Sequence, residues 1–190
     1  HIDSSAILAA IDINKDVDGL SNNNLGALLK GEPNFVPATP LGVRELLYRN
    51  GVEIPGKNVV VVGRSTLVGK PLSALLSMKS DKGNATVTLA HSATTDLSSV
   101  TKKADILIVA IGIAEFIDGT MIKEGAVIID VGINRVDDTN NKNGYKLVGD
   151  VNFESVLSKA SMITPVPGGV GPMTIAMVVS NTLRAAKLNS

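Results

Sequence analysis

The chain has 190 residues, 44% of them hydrophobic, with 18 basic and 18 acidic side chains that leave no formal net charge, so it holds enough apolar material to bury a proper core. No cysteine and only two histidines are present, which excludes a disulfide framework and a thiolate zinc site and fits a reducing compartment. Its lysines and arginines form no stripe that could track a phosphodiester backbone, and no apolar run nears the roughly 20 residues of a spanning helix; neither nucleic acid nor membrane is an expected partner.

The sequence opens on His1-Ile2-Asp3 rather than on methionine, as the middle of a longer protein would, and a preceding segment is expected. Residues 4–11 read as a short helix, "NKDVDGLSNNN" as a loop, and residues 25–29 as a helix closed by Gly31. In "FVPATPLGVRELLYRNG", Thr39 suits the N-cap, Pro40 the first helical position and Gly51 the left-handed position past the end. The character then changes. Five runs rich in valine or isoleucine, at 58–62, 85–90, 106–111, 127–131 and 162–166, lack polar alternation, as strands covered on both faces do. Helical stretches at 71–78, 97–103 and 153–159 alternate with them, the polar residues 137–145 read as the tip of a hairpin, and 174–187 form a closing amphipathic helix. The expected fold class is α/β: a Rossmann-like, mostly parallel sheet with flanking helices, plus helical pieces of a second α/β domain at both ends. The boundaries place residues 1–54 in the second lobe, 55–172 in the sheet domain and 173–190 in a helix returning to the second lobe.

The loop after the first strand, "VVVVGRSTLVGKPL", raises the question of what it holds. A triphosphate loop needs four residues between its glycines and a hydroxyl after the lysine; here five separate Gly63 from Gly69, and Pro71 replaces the hydroxyl. That option fails on geometry. A dinucleotide loop wants G-x-G-x-x-G, and Ser65 stands where the second glycine would be. Its context nevertheless suits an anion, because a strand enters the loop and a helix leaves it with proline in the first turn, aiming backbone N–H groups above Gly63. An ordinary strand-to-helix turn, with glycines for tight packing, is the alternative.

The second strand ends "LAHSATT", without the carboxylate that NAD enzymes place there to accept from the adenosine ribose. Arg64, Ser65 and Ser92 offer donors for a 2′-phosphate instead, which favours NADP over NAD. His91 reads as a satisfied strand-end histidine, and Asp18, taken alone, as the turn-former that "DG" invites. "PVPGGVGPMT" is a rigid loop, poor in side chains, at the carboxyl edge of the sheet, where backbone can approach a flat ring.

"KDVDGL", "PATPLGV", "VVGRSTLVGKPL", "ATVTLAHS", "GAVIIDVGINRV", "VGDVNF" and "TPVPGGVGPMTIAMVVSNTL" resemble, in order and over essentially the whole chain, the bifunctional methylenetetrahydrofolate dehydrogenase/methenyltetrahydrofolate cyclohydrolase family. The resemblance implies a two-domain enzyme of one-carbon metabolism that oxidises methylenetetrahydrofolate with NADP and hydrolyses the methenyl product to formyltetrahydrofolate. Carried over by position, Gly63, Arg64 and Ser65 match the nucleotide-phosphate loop and Ser92 the second 2′-phosphate contact. Ile133 matches a residue lining the nicotinamide site, and Thr174, expected to start the final helix, has its hydroxyl near the cofactor. Asp18 matches the carboxylate that pairs with the pterin ring, while Pro167, Gly168, Gly169, Val170 and Gly171 match the folate-contacting segment. No metal is implied. A homodimer, joined through the cofactor domain with the hairpin as a candidate edge, also follows from the resemblance; cytoplasm is the default location, with mitochondria as the other option.

The family's catalytic lysine and tyrosine, in a Y-x-x-x-K segment, and its glutamine, in a Q-L-P-L-P segment, have no counterpart here; neither Tyr48 nor Tyr145 has lysine four residues later. Ala38, where cysteine is common, and residues 21–23, where aromatic residues or histidine are common, are smaller departures. Two functional expectations therefore stand side by side: the bifunctional enzyme, and a non-catalytic NADP-binding fragment of it.

Overall fold

Strands β1 (Asn58–Val62), β2 (Thr86–Ala90), β3 (Ile106–Val109), β4 (Val127–Asp130), β5 (Asn134–Asp137), β6 (Tyr145–Val148) and β7 (Met162–Ile163) are joined by helices that cover both faces of the main sheet. The computed structural model describes residues 3–139 and 141–188. Five strands pair in parallel in the order β2-β1-β3-β4-β7, while β5 and β6 make a separate antiparallel hairpin. The expected mostly parallel sheet is present, and its main strands lie within the runs read from the sequence.

Alternation along the strands sorts the core into two layers. Val59, Val61, Ile106, Ile108 and Ile129 face α3 (Ala38–Arg49) and α4 (Gly69–Ser77), meeting Val43, Leu47, Leu72 and Leu76. Val60, Val62, Leu107, Val109 and Ile128 face the other way, onto a layer that includes Val156 of α6 (Phe153–Leu157) and Leu97 and Val100 of α5 (Leu97–Thr101). Both faces of β3 are fully covered, with Ile106 through Val109 no more than 1% exposed; each such side chain contributes about 1.5–3 kcal/mol relative to exposure. The remaining helices, α1 (Ser4–Ala10), α2 (Asn22–Lys30) and α7 (Val170–Leu188), lie toward the chain ends. Helix α7 packs against α3 closely enough that a Cβ on Gly42 would stand 3.1 Å from the Met173 backbone.

The differences from the sequence reading have local causes. Helix α2 begins at Asn22, since the Ser21 hydroxyl accepts from the Asn24 N–H, and it ends at Gly31 in the left-handed region as expected. Helix α3 begins at Ala38, with Pro37 at the cap position, so Thr39 and Pro40 lie inside its first turn. The Thr39 hydroxyl is not a cap; it lies 3.0 Å from the Thr174 hydroxyl on α7. Helix α7 itself starts at Val170 rather than at Thr174, which places Thr174 one turn inside it. Strand β3 stops at Val109 because the next free N–H groups, of Ile111 and Gly112, turn to the Asp150 carboxylate. Strand β7 stops at Ile163 where the Thr164 hydroxyl turns to the Asp130 N–H, followed by Pro165 and a cis Val166–Pro167 peptide. Among the described residues no helix is long and apolar enough to cross a membrane.

Candidate functional site

Strand order reverses at β1: β2 lies on one side of it and β3 and β4 on the other. The crevice beyond the carboxyl ends of strands at such a switch point is where open α/β sheets take ligands. Gly63 leaves β1 there with φ of 120°, and a Cβ on it would overlap the Ala110 carbonyl after β3. A Cβ on Gly69 would overlap the Gly63 carbonyl. The loop is thus folded back on itself, and both glycines are required by packing whatever the loop binds.

Above Gly63 opens a cavity of about 600 Å³ that brings together Gly63, Arg64, Ser65, His91 and Ser92. Arg64, Ser65 and Ser92 are exposed. Its lining includes one arginine and no carboxylate, and its far wall is apolar, formed by Ile111, Ile113 and Phe116. Ser65 also holds its own loop, because its Oγ accepts from the N–H of Val68 at 3.1 Å and of Gly69 at 3.4 Å and so braces the turn that leads into α4. Its hydroxyl proton remains a donor for an anion. His91 is held in its turn, with Nδ1 accepting from the Ala93 N–H and its own N–H donating to the Thr94 hydroxyl.

A second cavity, of about 320 Å³, lies where the loop after β4 meets the turn into α7 and is lined by Ile133 together with Pro167, Gly168, Gly169, Val170 and Gly171. Gly171 faces Ile133 with space for only van der Waals contact, 3.9 Å from a notional Cβ to Cδ1. Ile133 is 59% exposed, an apolar surface without a protein partner on its outer side. Val170 is different: it is buried and packs with the α3 and α4 core. Thr174 lines neither cavity, its hydroxyl being within hydrogen-bond reach of Thr39 and of the Val170 carbonyl.

Beside the cavities lie residues that sequence reasoning passed over, one of them, Asp130, in the lining of the second. Asp130 and Asp150 are both buried. Asp130 accepts from the backbone N–H groups of Gly132, Asp150 and Val151. Asp150 accepts from those of Ile111 and Gly112 and from the Asn134 amide. Burial pushes the Asp130 carboxyl above its ordinary value of 3.8, with Asp150 adding to the push against the pull of three donors. The signal that could have found them is an acid within two residues of a glycine at a strand end, in "IIDVG" and "VGDV". Cβ atoms on Gly132 and Gly149 would run into these carboxylates.

The two acids in "KDVDG" have separate roles. Asp16 is buried and organises the loop, accepting from the N–H of Leu20 and Ser21 and from the Asn24 amide. Asp18 is exposed, outside both cavities and free of that turn-forming duty. Its loop is pinned to α7 by Asn181, whose buried amide donates to the carbonyls of Val17 and Val36 at 2.8 and 3.1 Å. Burial alone would raise the Asp16 carboxyl, but the hydrogen bonds from Asn24, Ser21 and Leu20 outweigh it and hold the group below its ordinary 3.8. Asp16→Ala, which orphans these donors, is expected to lower unfolding free energy by about 2–4 kcal/mol in urea at pH 7. Because the folded value is depressed, the ionisation-linked part of that contribution is present above about pH 3.8 and is lost as pH falls through the folded value; the gap between variant and parent should therefore narrow in acid.

The profile of the family "Tetrahydrofolate dehydrogenase/cyclohydrolase, NAD(P)-binding domain" matches residues 37–190. A protein of Flavobacterium johnsoniae named "Bifunctional protein FolD" is 56% identical over the whole chain, which covers 64% of its length. The crystal structure of the bifunctional FolD methylenetetrahydrofolate dehydrogenase/cyclohydrolase from Campylobacter jejuni superposes with a TM-score of 0.91 at 46% identity, over all of this chain and 64% of that one. The Trypanosoma brucei enzyme, solved with NADP cofactor and an inhibitor, gives a TM-score of 0.91 at 44% identity with the same coverage. The chain therefore spans about 64% of the length of these relatives. Sequence profile, identity and superposition agree with the glycine cleft at the sheet's carboxyl edge: the chain belongs to the tetrahydrofolate dehydrogenase/cyclohydrolase family.

Proposed function

We propose that this chain binds NADP in the cleft above Gly63, and that the whole protein oxidises methylenetetrahydrofolate to methenyltetrahydrofolate and hydrolyses it to formyltetrahydrofolate. The observation that carries the cofactor choice is the cavity lining, which presents Arg64, Ser65 and Ser92 and no carboxylate. A guanidinium and two hydroxyls fit a 2′-phosphate, whereas an acid at that place would repel it. In this proposal residues 1–54 belong to the folate lobe, 55–172 form the NADP domain and 173–190 return to the folate lobe. Homodimerisation and a role in one-carbon metabolism are carried over from the family, and cytoplasm is the default location.

When bound, NADP supplies the acceptor for a hydride leaving the one-carbon bridge of the folate. Arg64, Ser65 and Ser92 hold the adenosine end. The glycine segment Gly168, Gly169 and Gly171 lets backbone come close to a flat ring, and Ile133 opposite it excludes water from the junction. Asp18 accepts two parallel N–H bonds from the amino-pyrimidinone edge of the pterin, which fixes orientation as well as affinity. Holding both partners in near-attack geometry is worth up to roughly 7–11 kcal/mol in favourable intramolecular systems. No protein acid is needed for the hydride step, since the cation that develops is stabilised within the folate. Hydrolysis of that cation falls to groups of the whole protein, the family's lysine among them. The test is calorimetric titration of the 190-residue chain with NADP and NAD: binding of NADP at least tenfold tighter is expected from the charge-assisted contacts. Equal affinity, or preference for NAD, would overturn the reading.

A further inference from the structure

Two buried carboxylates stand beside the cavities, Asp130 in the lining of the second, and neither is among the contacts proposed for cofactor or folate. Asp150 is 0% exposed and Asp130 3%. Through Oδ2, Asp150 takes the N–H groups of Ile111 and Gly112 at 2.7 and 3.0 Å; through Oδ1 it takes the Asn134 amide at 2.9 Å. Asp130 takes Gly132 and Asp150 on Oδ1 and Val151 on Oδ2, while its own N–H donates to Thr164. The turns after β3, β4, β6 and β7 therefore meet on one pair of acids. Ile111 lines the first cavity, and Ile133, next to Asn134, lines the second.

Keeping carboxylates dry is costly, and here the cost is offset by the backbone N–H groups they satisfy, which an apolar residue would leave without an acceptor. What carboxylates add is direction: each oxygen fixes the N–H groups it accepts to a narrow range of distance and angle. We infer that Asp150, acting with Asn134, is a positioning residue that sets the Ile111–Gly112 turn against Ile133 and thereby shapes the recess receiving the nicotinamide half of the dinucleotide. The inference rests on the NADP reading of the cleft. It separates the two ends of the ligand, because the adenosine end is assigned to Arg64, Ser65 and Ser92, none of which touches either acid.

The separation can be measured with NADP and with 2′,5′-ADP, which carries the phosphorylated adenosine but no nicotinamide. The unaltered 190-residue chain should bind NADP more tightly than 2′,5′-ADP. Asn134→Ala and Asp150→Asn should each keep their affinity for 2′,5′-ADP within about twofold and lose roughly tenfold for NADP, the size expected when charge-assisted bonds that order a recess are removed. Should Asp150→Asn fail to fold, Asn134→Ala, which removes only one of the three donors to Asp150, carries the test. Equal affinity of the unaltered chain for the two ligands, loss of both ligands together in Asn134→Ala, or no loss of either would overturn the positioning role. Failure of the unaltered chain to bind either ligand would instead sink the NADP assignment itself.

Discussion

Replacing Gly63 by alanine is expected to destabilise the fold by about 3 kcal/mol or more and to abolish NADP binding. At φ of 120° an L side chain is strained, and the added methyl would overlap the Ala110 carbonyl. That carbonyl cannot retreat easily, since the Ala110 N–H is bonded to the Val62 carbonyl at 2.8 Å and the β1–β3 ladder runs up to Val62 and Val109, immediately before the contact. Relief would have to come from parting the two central strands, whose cover is the core itself. In a domain of this size the loss corresponds to a drop in Tm of roughly 6–12 °C, readable by thermal or urea denaturation. Gly26→Ala is the control: it lies in α2 with nothing within 4 Å of a notional Cβ, and should be neutral or stabilising by up to about 1 kcal/mol. A Gly63→Ala protein of unchanged Tm would mean that the loop does not approach β3 as described.

Arg64→Ala is expected to weaken NADP binding by about 1.5–3 kcal/mol, roughly 10- to 150-fold, while affinity for NAD stays within about twofold. The two cofactors differ only by the 2′-phosphate, so the ratio of their affinities isolates the contact. Arg64→Lys should recover only part of the loss, because an ammonium is a point charge and lacks the planar fork that pairs with two phosphate oxygens. The side chain is exposed, so the effect should shrink as ionic strength rises. Ser92→Ala, which removes one neutral donor, should cost about 0.5–1.5 kcal/mol. If Arg64→Ala lowers NADP and NAD affinity equally, Arg64 is a general anion contact and the basis for preferring NADP is gone.

The strand runs, the parallel sheet and the glycine loop at the end of β1 were legible because each rests on neighbours in sequence: a valine run is apolar on both faces wherever it is placed, and a glycine loop between strand and helix is a local pattern. The reading of Thr174 as the first residue of the last helix failed for a non-local reason. The helix extends back to Val170 because that residue is drawn into the core formed by α3, α4 and β1, which no pattern in "VPGGVGPMT" shows. Asp18 was selected by resemblance, yet only the loop's hydrogen bonds reveal that Asp16 carries the turn and leaves Asp18 exposed. Asp130, Asp150 and Asn181 were invisible for the same reason, each bonding to backbone that lies 20, 38 or more than 140 residues away.

By itself, then, the sequence determined the α/β class, the places where strands and helices form, and the set of donors able to receive a phosphate, since all of these follow from periodicity and side-chain chemistry within short windows. The tertiary structure alone decided which strand ends face each other across the switch point, which acid of a pair is buried, and how far a strand runs before a distant carboxylate captures its N–H groups. Those outcomes depend on backbone groups finding acceptors from remote segments, and the partner of a buried N–H is set by where the chain returns in space.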